Sequence, residues 1–167
     1  MKHMGKYPNR RKWIAFWVSI LLILSYMTGC SYPNNMPFNG DVTFHEISLV
    51  IPKDFVRDST QSNDEVWVFE ASFYQKYIIL SYKETAEDPK TVADDYYAYL
   101  TEQDIFTERT TFLGMEAVRF HTELQGKDAQ ELMFVYQGAS YAISLRGGTE
   151  DELNAIVNTI AMLGQNN

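Results

Sequence analysis

Residues 105–146 read IFTERTTFLGMEAVRFHTELQGKDAQELMFVYQGASYAISLR. They hold four runs rich in β-branched and aromatic residues, 105–113, 115–124, 130–137 and 140–146. The runs are parted only by Gly114, by Gln125-Gly126-Lys127-Asp128 and by Gly138. Links of that length cannot contain the crossover that a parallel pair needs, so they predict antiparallel strands joined as hairpins. Downstream, Gly147-Gly148 precedes Thr149 and Glu152, spaced as a capping box, and Leu153, Ile156, Val157, Ile160 and Leu163 share one helical face. A helix from Thr149 to Leu163 is expected.

Upstream, DPKTVADDYYAYLTEQ (residues 88–103) predicts another helix. Asp88 or Thr91 can cap it, Pro89 suits its first turn, and Val92, Tyr96, Tyr99 and Leu100 form its apolar stripe. Before it, EVWVFEA and YIILSYK are apolar on both faces and read as strands covered on both sides. DSTQSNDE (58–65) reads as a polar turn, and VTFHEISLVIP (42–52) as one β-rich run stopped by Pro52. The expected order is three strands, a helix, four strands and a helix, an α+β domain over residues 41–164 whose helices pack on the faces of a mainly antiparallel sheet.

These elements resemble the PsbP/DcrB-like group of small exported proteins. The resemblance runs through ISLVIPKDF, the mid-chain helix, the glycine hairpin LGMEAVRF, and YAISL followed by a helix ending AIVNTI, spanning Asp41 to Leu163. It implies an α/β/α sandwich with an antiparallel sheet. It also implies an accessory or binding role, because that group shares no catalytic residues that map onto this chain.

The amino end supplies an address. MKHMGKYPNRRK carries five basic residues and no acid, followed by the apolar run Trp13 to Met27. That run is shorter than the roughly 18–20 residues of a stable span, so a cleaved signal over residues 1–29 is expected. Met27-Thr28-Gly29-Cys30 resembles a bacterial lipobox, with Met27 where an aliphatic residue is usual. The resemblance implies that Cys30 is lipidated and becomes the first mature residue, anchored at the extracytoplasmic face of a bacterial membrane. Two or three acyl chains hold a protein there firmly where one does not. Residues 30–40, rich in Pro, Asn and Gly, read as the tether.

Cleavage before Cys30 leaves nine Lys and Arg against all 22 acids, a net charge of −13, which excludes nucleic acid as a natural partner. Acylation of the single cysteine removes disulfides and thiolate chemistry. No G-x-S-x-G, H-E-x-x-H or S-x-x-K occurs. His45 alternates with Ile47 and Leu49, as a strand residue at the core margin would; His121 alternates with Arg119 and Glu123 on a solvated face. The turn Asp58–Glu65 fails as a calcium loop, with Asn63 in place of the required glycine and Phe69 in place of the closing Glu. Gly147-Gly148 could cradle an anion, but Glu150, Asp151 and Glu152 would repel it.

No catalytic, metal or cofactor site is therefore assigned. The remaining candidates are Tyr96, Tyr97 and Tyr99, since one helical face cannot bury all three and exposed tyrosines suit protein or glycan contacts. The expected function is a non-enzymatic, lipid-anchored binding or accessory factor that contacts another envelope component. The rival is a cell-wall hydrolase using paired carboxylates, which needs no motif.

Overall fold

Leu113 and Gly114 both have positive φ, as do Gln137 and Gly138, so each pair closes a two-residue hairpin turn of the hand that matches strand twist. In the computed structural model, which describes residues 40–124 and 126–163, these turns join β6 (Phe106–Phe112) to β7 (Met115–Leu124) and β8 (Lys127–Tyr136) to β9 (Ala139–Arg146). The link between β7 and β8 is tighter than the sequence suggested, because Lys127 and Asp128 join the ladder opposite Leu124 and Glu123.

β9 pairs antiparallel with β5 (Lys76–Glu84), which continues through β4 (Val66–Ala71) to β3 (Val56–Asp58). The result is a seven-stranded antiparallel sheet in the order β3-β4-β5-β9-β8-β7-β6. Its helices are α1 (Pro89–Glu102) and α2 (Glu150–Val157). Asp88 caps α1 by accepting from the Lys90 and Thr91 amides, and Thr149 with Glu152 completes the expected capping box of α2.

Two faces of the sheet carry different loads. Leu132 and Phe134 of β8, with Tyr141, Ile143 and Leu145 of β9, meet Leu153, Ile156 and Val157 of α2 in the main core. The same core takes Val42 and Phe44 of β1 (Gly40–Phe44) and Ile47, Leu49 and Ile51 of β2 (Ile47–Ile51). On the opposite face α1 packs over β6, β7 and β8. Helices on both faces of an antiparallel sheet make the α+β sandwich that the sequence led us to expect. Among the described residues no helix is long and apolar enough to cross a membrane.

Three expectations are corrected. Residues 42–51 are not one strand but a hairpin, β1 and β2, turning at His45 with φ of 53°. The anticipated turn at 58–65 loses its first residue to β3, which ends at Asp58 and precedes β4. The last helix stops at Val157: Thr159 Oγ1 donates to the Ile156 carbonyl and accepts from the Val50 amide, and β10 (Ala161–Met162) then pairs with Ile47 and Ser48 of β2. The open edge of β2 offers those last residues ladder bonds that a further helical turn would not.

Candidate functional site

Cys30 and residues 31–39 of the expected tether lie outside the described residues, and Gly40, expected to end the tether, instead opens β1. The tyrosines of α1 are all half-buried. Tyr96 meets Phe120 edge to face at 5.5 Å, and burial pushes its phenol well above the ordinary range. Tyr97 lies beneath the Arg109 guanidinium, 4.5 Å from the ring centre. Arg109 is in turn paired with Asp94, which also binds Lys90 at 2.7 Å. Tyr96 and Tyr97 therefore have structural partners, and part of each ring still reaches solvent.

The histidines serve locally. His45 stacks on Tyr82 with ring centres 3.6 Å apart and shares a 2.7 Å hydrogen bond with the Asp64 carbonyl, in an exposed turn and not at the strand position expected for it. His121 is exposed beside Asp128 at 3.2 Å. In the turn after β3, Asp58 accepts from Thr60 and Gln61 on both carboxylate oxygens, which keeps its pKa below the ordinary range despite the opposing effect of burial.

Charge is buried on the α1 side of the sheet. Glu131 of β8 lies diagonally across from Thr122 of β7, whose hydroxyl donates to it at 3.2 Å. Burial lifts the Glu131 carboxyl to about 7 against the opposing pull of Thr122 and Arg146. Arg146, 7 % exposed, leaves its Nε without a hydrogen bond. The groups acting on Glu131 are thus a hydroxyl and a guanidinium, which suits a half-buried structural carboxyl better than one half of a carboxylate pair.

The largest unburied aromatic surface is elsewhere. Between β4 and β5 a short 3-10 turn, Ser72–Tyr74, ends at Gln75 with φ of 52° and lifts Phe73 and Tyr74 off the sheet. Phe73 is 90 % exposed and Tyr74 57 %, with their rings edge to face at 5.0 Å. Tyr74 forms one wall of a cleft of about 430 Å³. Glu152, Ala155 and Ile156 of α2, Thr159 just beyond it, and Val50, Pro52 and Asp54 also line it.

Close packing holds this knuckle in place. A Cβ on Gly147 would come within 2.9 Å of the Gln75 carbonyl, so the end of β9 runs directly against the turn. Lys76 reaches from the turn to Glu152 at 2.5 Å, which together with the Thr149 cap holds that carboxylate below its ordinary range. Sequence reading did not single out Phe73. The available signal was an aromatic pair set in the link between two strands whose faces were already filled.

No family model matches the chain, and no curated protein matches it. Solved structures do. One is the solution structure of cyanobacterial PsbP (CyanoP) from Synechocystis sp. PCC 6803, at TM-score 0.50 and 8 % identity, covering 81 % of this chain and 98 % of that one. Another is a crystal structure from Bacteroides thetaiotaomicron VPI-5482, at TM-score 0.54 and 12 % identity, covering 77 % of this chain. The present chain spans half the length of the Bacteroides protein. At such identities the likeness establishes a PsbP-like fold and carries no activity with it.

Proposed function

We propose that this protein is a lipid-anchored binding module of the bacterial cell envelope, held at the extracytoplasmic face through Cys30 and acting without catalysis of its own. The observation that carries the binding role is the Phe73–Tyr74 pair, standing in solvent beside a cleft. Aromatic residues set on a rigid turn lose little side-chain entropy on contact and bury much area, which is why they anchor interfaces. Tethering at a membrane raises the local concentration of such a module near partners on the same surface. The half-exposed parts of Tyr97 and Tyr99 offer a second contact area.

The hydrolase reading meets an obstacle at the same cleft. Asp54 and Glu152 both line it, but a general acid needs a raised pKa and Glu152 is lowered by its bond to Lys76. The test is crosslinking in intact cells followed by mass spectrometry. Wild type is compared with a Phe73→Ser/Tyr74→Ser variant and a Tyr96→Ser/Tyr97→Ser/Tyr99→Ser variant. Partners lost with the first variant support the knuckle, and partners lost only with the second move the contact to α1. No specific partner for the wild type in the membrane fraction refutes the binding role.

A further inference from the structure

The cleft beside Tyr74 is mostly apolar in its lining and carries one acid unpaired among the described residues, Asp54. Val50, Pro52, Ala155 and Ile156 supply apolar wall, and Val50 is itself 41 % exposed. Of the charged groups, Lys76 is spent on Glu152 at 2.5 Å, leaving that pair neutral. Asp54 is exposed and makes no hydrogen bond or ion pair among the described residues.

We propose that this cleft receives a cationic peptide segment of a partner protein, with an aliphatic or aromatic side chain entering between Tyr74 and Ile156 and a neighbouring Lys or Arg meeting Asp54. The inference rests on the binding-module reading and names its partner. Charge selects the occupant: a second copy of this acidic chain, or an anionic lipid surface, would bring like charges against Asp54, whereas a basic segment is steered to it. The volume falls within the range of small-ligand pockets and accommodates one large side chain as the anchor. Phe73, outside the cleft lining, extends the apolar contact along the peptide.

The probe is a phage-displayed library of random peptides panned against the purified protein, followed by resynthesis of an enriched peptide and NMR titration of isotope-labelled protein. Enrichment of Lys or Arg beside Leu, Phe or Trp is expected, with the largest shifts at Val50, Tyr74 and Ala155. Affinity should fall at least tenfold in Tyr74→Ser and about fivefold in Asp54→Lys, and should weaken as salt is raised. Both positions are exposed, and Phe73→Ser provides a third variant that leaves the core untouched. An acidic consensus, or unchanged affinity in Tyr74→Ser and Asp54→Lys, overturns the proposal. So does concentration-dependent dimerisation that shifts the Tyr74 region without peptide, or binding of anionic vesicles or peptidoglycan fragments there in place of peptide. Basic peptides whose shifts map to Tyr97 and Tyr99 leave the binding-module reading standing and overturn this one alone.

Discussion

Replacing Glu131 by Gln should make the protein more stable at alkaline pH and leave it nearly unchanged in acid. The carboxyl titrates near 7 in the folded protein against 4.5 ordinarily, with burial as the main cause. An acid whose pKa rises on folding takes up a proton as the chain folds. Its contribution is therefore whole below about pH 4.5, erodes as pH rises toward 7, and is lost above that. At about 1.4 kcal/mol per pH unit the span from 4.5 to 7 amounts to roughly 3 kcal/mol. A Gln at this position still accepts the Thr122 hydrogen bond and carries no charge to desolvate. Urea unfolding followed by far-UV circular dichroism should give stabilities within about 1 kcal/mol at pH 5, and an advantage of roughly 2–3 kcal/mol for Gln at pH 8. Other acids titrate in both proteins, so the difference isolates residue 131. Parallel stability profiles between pH 5 and 8 would refute the assignment of a carboxyl raised by partial burial on the α1 side of the sheet.

Truncating Ile156, 4 % exposed in the main core, to Ala should cost roughly 2–5 kcal/mol in the same assay. Asp88→Ala removes the acceptor for two α1 amides and should cost about 0.5–2 kcal/mol, with Asp88→Asn recovering most of it. Gly148→Ala places a Cβ 2.4 Å from Leu145 Cδ2, a side chain packed at 1 % exposure, and should destabilise by about 1–3 kcal/mol even though the glycine φ is unexceptional. Cys30→Ala should release the protein from the membrane fraction; an intact mass showing unmodified Cys30 in membrane-bound wild type would refute the anchor.

The sequence made some of these features legible and hid others for identifiable physical reasons. Leu113-Gly114 and Gln137-Gly138 announce their turns because glycine tolerates the positive φ that the second turn position requires. Asp88-Pro89 and Thr149–Glu152 likewise state their caps in local chemistry. His45-Glu46 contains no such residue, and Phe44 and Ile47 are both buried on either side of it, so the apolar pattern masks a reversal of the chain. Ile160 is buried whether it closes a helix or precedes a strand, and only the vacant edge of β2, more than a hundred residues away in sequence, decides between them. Long-range competition of this kind leaves no local trace.

The candidate site fails to appear in the sequence for the same reason. Val50, Tyr74 and Ala155 belong to separate elements and meet only because β9 and its two glycines bring the β4–β5 turn against α2. The Tyr96–Tyr99 cluster is conspicuous in sequence because its members are adjacent, yet adjacency on a helix over a sheet is also what lets Phe120 and Arg109 cover part of each ring. Phe73 has Tyr74 beside it in sequence and is still bare in the fold. Phe120 and Arg109 shield part of the α1 cluster, whereas Phe73 on its raised turn meets the Tyr74 ring and is still 90 % exposed, so a contact that buries it must come from outside the described domain.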